Sequence, residues 1–327
     1  MLHLPTPIEP LTNLGTAGCA LWVKRDDLHG RGYGGNKMRK LPYLLDEAER
    51  RGARRLLLFA PAGSHQVLAT AIGARERGLK VAAVLSPQAR TDHAAEVLRG
   101  IVGLGVEVIA ARGLEVPRAL WRLWRRGDLL LPLGGSSTAS LRGHIEAIDE
   151  LALAIARGLL PLPEVLVVAL ASAGTAVGLA AGLALRGLPV QVVGVCASDR
   201  RPVARALAAL QLGKLARLAP RLVAGAVARL RLEPGYLGPG YSRPTRESER
   251  AQAQGSAEGL TLDPAYTAKA FAAALGLVQG GRVRNVLFWQ THSSVPLGPL
   301  LRDAPSEADL PAALRGLLLP EATCASS

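Results

Sequence analysis

From Leu56 onward the chain alternates short apolar runs with longer segments of helical period, and this alternation limits the available folds more than any other feature. Residues 56–59, 80–85, 106–110 and 129–133 read as strands, with helices expected over 66–77, 91–102 and 117–126. Such an order is that of βαβ units, whose strands lie parallel beneath helices. A second series begins near Ser140. It has helices over 141–156, 175–185, 205–211 and 267–277, and strands over 165–170, 190–195 and 286–289. Residues 233–256, rich in Gly, Pro and Ser, interrupt the order and read as a long loop. The tail after Ala304 is polar and punctuated by proline, and its last residues are expected to be disordered.

A length of 327 residues suits one large or two medium domains. The net charge of +13 raises the question of nucleic acid. The arginines, however, are scattered along helical segments such as 50–55 and 122–126, form no long basic tail, and read as solvated faces. Residues 1–18 lack the pattern of a secretory signal, and no apolar run approaches the roughly 18 residues of a membrane span. A cytoplasmic protein with neither nucleic-acid nor membrane partners is expected. Cys19, Cys196 and Cys324 are too few and too far apart for a disulfide framework or a zinc site, so no metal is expected.

Open α/β sheets bind ligands beyond the carboxyl ends of their strands. Three turns at such ends are candidates. Pro61-Ala62-Gly63-Ser64-His65-Gln66 brings a hydroxyl, an imidazole and an amide to a helix start, where Ser64 also suits an N-cap. Ala171-Ser172-Ala173-Gly174-Thr175 leads into a helix with small residues that let backbone amides approach an anion. Gln290-Thr291-His292-Ser293-Ser294 closes the last apolar strand.

The chain holds six lysines against its many arginines: Lys24, Lys37, Lys40, Lys80, Lys214 and Lys269. Only lysine can lose its proton and form a Schiff base with a carbonyl. Lys37 follows the glycines of Gly34-Gly35-Asn36-Lys37. A lysine, a hydroxyl-bearing turn and a phosphate cradle together suggest pyridoxal phosphate.

Eight blocks carry a family resemblance. They begin with Thr6-Pro7 and Lys24-Arg25-Asp26-Asp27, then Gly34-Gly35-Asn36-Lys37-Met38-Arg39-Lys40-Leu41 with Gly63-Ser64. They continue with Leu133-Gly134-Gly135-Ser136, Ser172-Ala173-Gly174-Thr175, Gly238-Pro239-Gly240-Tyr241 and Leu262-Asp263-Pro264-Ala265-Tyr266-Thr267-Ala268-Lys269. In this order they resemble the fold-type II pyridoxal-phosphate enzymes, specifically the D-cysteine desulfhydrase and 1-aminocyclopropane-1-carboxylate deaminase family. The resemblance implies a two-domain α/β fold of the tryptophan synthase β type, with parallel-rich, open twisted sheets and helices on both faces. A large cofactor domain would span residues 1–44 and 140–327, and a small one 45–139.

By the same resemblance Lys37 binds the cofactor covalently and moves the α-proton of the substrate. Asn36, Lys40, His65, Ser172, Ala173, Gly174 and Thr175 would hold the cofactor, with Thr267 or Thr291 near its pyridine nitrogen. Ser64, Tyr241 and Tyr266 would act on the substrate, joined by Gln66 and His292. A homodimer is implied, and a small amino acid converted to an α-keto acid and ammonia. The deaminases carry Tyr-Glu where this chain has Tyr266-Thr267, which favours desulfhydrase-like α,β-elimination to pyruvate. Ring opening of the cyclopropane amino acid, β-replacement and a non-catalytic amino-acid-binding role are the alternatives. His65 stands where the family has Asn, and His292-Ser293 where it has two glycines; both replacements bear on the substrate.

Overall fold

The computed structural model describes residues 4–30 and 32–320, and the chain divides into two compact units. One comprises the chain up to Lys40 with Ser136–Val295, the other Leu41–Gly135 with the chain from Pro296 on. In chain order the strands are β1 (Ile8–Pro10), β2 (Ala20–Arg25), β3 (Arg55–Pro61), β4 (Lys80–Ser86), β5 (Gln88–Ala89) and β6 (Glu107–Ala110). They continue as β7 (Asp128–Leu130), β8 (Val165–Leu170), β9 (Gln191–Cys196), β10 (Leu230–Glu233), β11 (Asn285–Gln290) and β12 (Leu318–Leu319). The helices are α1 (Lys37–Arg50), α2 (His65–Glu76), α3 (Asp92–Gly103), α4 (Glu115–Leu123), α5 (Leu141–Ala156) and α6 (Gly174–Leu185). After them come α7 (Arg201–Leu218), α8 (Val223–Arg229), α9 (Arg246–Ala257), α10 (Thr267–Gln279), α11 (Gly298–Leu301) and α12 (Ala312–Arg315).

The first unit is built on a sheet of order β1-β2-β11-β8-β9-β10, parallel except where β1 meets β2. Strand residues alternate between two covered faces. Leu166, Val168, Leu287 and Trp289 join a core with Leu141, Ile148, Leu179 and Leu183 from α5 and α6. Val165, Val167, Val286 and Phe288 join another with Ala251, Phe271 and Val278 from α9 and α10. Burial on both faces is why these strands read as unbroken apolar runs. Helix α6 is itself packed closely, since a Cβ at Gly182 would meet the Ile145 carbonyl at 2.6 Å.

The second unit has a parallel sheet of order β6-β4-β3-β7, with Leu57 and Val84 packing on Val116, Ala119 and Leu123 of α4. The expected domain limits change here, because the chain from Pro296 on belongs to this unit rather than to the large one. Strand β12 pairs with β5, and α11 packs on α3. Arg99 Nε donates to the Pro305 carbonyl at 2.7 Å, and Arg112 Nη2 to that of Gly316 at 2.8 Å. A second correction concerns residues 233–256, where α9 occupies much of the expected loop. Thr245 caps it, its Oγ1 accepting from Ser248 N at 3.1 Å while Ser248 Oγ accepts from Thr245 N at 2.8 Å. The end of the tail lies outside the described residues. Among the described residues, no helix is long and apolar enough to cross a membrane.

Candidate active site

In the first unit β2, β11 and β8 are parallel neighbours, so the turns that follow them emerge at one edge of the sheet. Arg25 pairs with Gln290, which sends Asp26 and Thr291 out side by side. The glycine shoulder is stitched to both: Gly35 N donates to Asp26 O at 2.8 Å and Asn36 N to Thr291 O at 3.1 Å. Gly34 N donates to Ser293 Oγ at 2.9 Å, so Ser293 anchors this shoulder. A side chain at Gly34 would run into the Asp27 carbonyl, and Gly35 has φ of +87°. Close backbone approach therefore accounts for both glycines.

Beneath the shoulder lies a buried polar network. Asp26 accepts from Arg39 Nε at 2.7 Å, Trp289 Nε1 at 2.6 Å and Thr6 Oγ1 at 3.1 Å. Glu150 accepts from Lys24 Nζ at 2.6 Å and Arg39 Nη1 at 2.8 Å. Burial alone would raise the Asp26 carboxyl, but the charge and hydrogen bonds of Arg39 bring it down to about 2. Arg39 lies in the first turn of α1, so this network fixes the start of the helix that carries Lys37 and Lys40.

Lys37 opens α1 half-buried, and Lys40 follows one turn later fully enclosed. Burial lowers the Lys37 ammonium from its ordinary value, with Asp263 acting the other way. Lys40 is pushed well below its ordinary value by burial and then by the charge of Lys37. An anion held beside them would offset that cost.

The N-terminus of α6 supplies a place for one. Ala173 sits in the left-handed region at φ 62°, turning the chain into the helix, whose first amides have no partner within it. A Cβ at Gly174 would meet Ser136 Oγ at 2.6 Å, and Ser136 is itself hydrogen-bonded to Ser172 at 2.8 Å. Asn36 Nδ2 donates to Thr175 Oγ1 at 2.9 Å, linking the lysine shoulder to this turn, while Asn36 Oδ1 is buried without a protein partner. His144 Nε2 lies 3.4 Å from the same threonine hydroxyl. Burial, reinforced by the charge of Lys40, lowers His144 to about 3, so the ring is neutral. An amine, a second buried lysine and a helix N-terminus linked to them through Asn36 and Thr175 together fit a carbonyl cofactor that carries a phosphate.

A third group surrounds Asp263. Its Oδ1 accepts from Tyr266 N at 2.7 Å, and its Oδ2 from Thr267 Oγ1 at 2.7 Å, which anchors the turn leading into α10. His292 Nδ1 is 3.7 Å from Oδ2. Burial would raise the Asp263 carboxyl, but His292 and the hydrogen bonds from Thr267 and Tyr266 hold it below its ordinary value. The Thr267 hydroxyl is thus committed to Asp263, and Thr291 gives its carbonyl to Asn36. Tyr266 donates its phenolic hydrogen to Tyr241 Oη at 2.9 Å, and burial raises both phenols.

Ser64, His65 and Gln66 lie in the second unit, at the start of α2. Ser64 is its N-cap, with Oγ accepting from Val67 N at 3.4 Å. The His65 and His93 Nε2 atoms are 2.7 Å apart, and Gln66 Nε2 donates to Thr70 Oγ1 at 3.0 Å.

Sequence reasoning did not single out Asp263, His144 or the Asp26–Arg39–Glu150 network as site residues. Asp263 stands within a quoted motif, three residues before Tyr266, at N-cap spacing that could have marked it. His144 and Glu150 lie on α5 with no local signal.

The profile of the family described as pyridoxal-phosphate dependent enzymes matches residues 1–288. A nocardicin C-9' epimerase of Nocardia uniformis subsp. tsuyamanensis is 35% identical, covering 94% of this chain and 96% of its own. A putative 1-aminocyclopropane-1-carboxylate deaminase of Pyrococcus furiosus is 31% identical over 88% of both chains. A D-cysteine desulfhydrase of Salmonella paratyphi A is 32% identical over 86% of this chain and 87% of its own. The crystal structure of a 1-aminocyclopropane-1-carboxylate deaminase homologue superposes with a TM-score of 0.75 at 26% identity, covering 88% of this chain and 89% of the other. With its parallel sheets, its lysine shoulder and a family match over most of its length, the chain belongs to the pyridoxal-phosphate-dependent enzymes of fold type II.

Proposed function

We propose that the protein is a lyase that removes the α-proton of a small amino acid and eliminates its β-substituent, releasing pyruvate and ammonia as a D-cysteine desulfhydrase does. The observation that carries this reading is the pairing of Lys37, whose ammonium is destabilised by burial, with Lys40 one helical turn on and, through the Asn36–Thr175 hydrogen bond, with the α6 N-terminus. Bound pyridoxal phosphate would supply the carbonyl that joins the substrate amine and a ring that stabilises negative charge at Cα. Lys37 Nζ would hold the cofactor and then carry the α-proton, a task suited to an amine whose protonated form burial disfavours. Lys40, the backbone of Ala173, Gly174 and Thr175, and Ser172 would hold the phosphate, with Asn36 and His144 orienting Thr175.

Raised phenol pKa values keep Tyr241 and Tyr266 protonated at neutral pH. Tyr266 donates to Tyr241, which leaves the Tyr241 hydrogen for a substrate carboxylate. Thr267 or Thr291 would stand near the pyridine nitrogen; neither is a carboxylic acid, in keeping with elimination rather than ring opening. Ser64, His65, Gln66 and His292 are proposed as substrate or cofactor contacts on the family resemblance, as are the homodimer and the cytoplasmic location.

A second reading is epimerisation at Cα, favoured by the 35% identity to an epimerase over nearly the whole chain. Both begin by moving the α-proton. Incubating the holoenzyme in D2O with D-cysteine, β-chloro-D-alanine and 1-aminocyclopropane-1-carboxylate separates them. Elimination predicts α-keto acid and ammonia from the first two. Recovered amino acid carrying Cα deuterium and inverted configuration, without ammonia, would establish the epimerase reading instead.

A further inference from the structure

Lys269 is a fully buried lysine that the proposed reaction does not use. Its Nζ donates to the carbonyls of Leu237 at 2.7 Å and Gly240 at 2.9 Å, two groups of one short loop. That loop is unusually bent: Gly238 has φ of 65°, Gly240 of 146° and Ser242 of 58°. Left-handed and glycine-only conformers of this kind persist only where the surroundings hold them. A large part of those surroundings is one helix, beside Thr245, which Gly238 faces. α10 carries Lys269 in its first turn and Gly276 two turns later on the same face. A Cβ at Gly276 would meet the Tyr236 hydroxyl at 2.6 Å, so the glycine makes room for the residue that opens the loop. Tyr266, the residue preceding α10, donates its hydrogen bond to Tyr241 at the end of the loop.

We propose that Lys269 is a positioning residue: its buried ammonium clamps the 237–240 loop to α10 and thereby sets Tyr241 against Tyr266. The two tyrosines are then placed by a single rigid element, one through its position at the helix start and the other through the clamp. Three donors on a compact cation suit two converging carbonyls. Burial brings the Lys269 ammonium down to about 8, with Asp263 opposing, so the clamp remains a cation at neutral pH. The functional half of the inference rests on the reading of Tyr241 as a substrate-facing group; the clamp itself does not.

The test compares wild type, Lys269→Met and Tyr241→Phe. Amide hydrogen exchange is followed without cofactor, then cofactor affinity, kcat and KM are measured for the substrate found above. Lys269→Met is expected to exchange at least tenfold faster over residues 236–242, with α6 protection and cofactor affinity unchanged. It should also share the kinetic defect of Tyr241→Phe in KM or kcat. Unchanged exchange over 236–242 overturns the clamp. Faster exchange with wild-type kinetics, while Tyr241→Phe is impaired, overturns the positioning role. Should Tyr241→Phe itself behave as wild type, the substrate-facing reading of that tyrosine fails, and faster exchange in Lys269→Met still supports the clamp. If Lys269→Met does not fold, Lys269→Gln, whose shorter side chain cannot bridge both carbonyls, is read by the same exchange criterion.

Discussion

Asp26 shows how a site residue can be visible in sequence while its task is not. Lys24-Arg25-Asp26-Asp27 is a family motif, yet these side chains point into the structure beneath the shoulder: Asp26 is fully enclosed by Arg39, Trp289 and Thr6. Asp26→Asn leaves the Arg39 guanidinium buried beside a neutral amide. Removing one partner of a buried pair costs about 3–5 kcal/mol, so the urea midpoint should fall accordingly. The pH dependence follows from the same contacts. The Asp26 carboxyl titrates at about 2 in the folded chain, against roughly 3.9 in an unfolded one. Its stabilisation is therefore complete above the unfolded value and is lost as pH falls toward the folded one. Wild type should lose stability between about pH 4 and 2 more steeply than Asp26→Asn, as followed by circular dichroism. Thr267 teaches a related lesson. Its place after Tyr266 suggests a ring-nitrogen contact, but its hydroxyl and amide both serve Asp263 at the start of α10.

Among the elements, the buried parallel strands and the helices between them were legible because their burial leaves continuous apolar runs. β8 and α5 have the bounds the sequence suggests. β2 was not legible, since its last residues, Lys24 and Arg25, are charged groups that pair inside the fold. α9 was also hidden: its sequence is polar and carries glycine and serine, and only the reciprocal Thr245–Ser248 cap announces it. The phosphate-type turn before α6 was readable from its small residues, and the structure gives the reason for their size. Gly174 faces Ser136 too closely for a methyl group, with Ala173 already left-handed. Gly174→Ala should raise the dissociation constant for pyridoxal phosphate on the order of tenfold, equivalent to about 1.4 kcal/mol of displaced backbone. A fluorescence titration of apoenzyme that finds wild-type affinity would refute the close-packing account of this turn.

Across the whole molecule, the alternation of strands and helices revealed two α/β units but not where the chain leaves the first for good. A segment as short as β12 carries no signal of which sheet it will join; its pairing with β5 is a property of the fold. The same limit applied to the site. Gly34-Gly35-Asn36-Lys37 and Ser172-Ala173-Gly174-Thr175 could be read locally, because backbone geometry demands those residue types. His144 and Glu150, both on α5, reach their partners only through tertiary packing. The proposed function rests on one of six lysines, Lys37, carrying the cofactor. Intact-mass and peptide analysis of the holoenzyme after borohydride reduction tests this most directly. The account predicts one pyridoxyl-phosphate addition per chain, on the peptide containing Lys37 and absent from Lys37→Ala; the same addition on another lysine, or its persistence in Lys37→Ala, would contradict it.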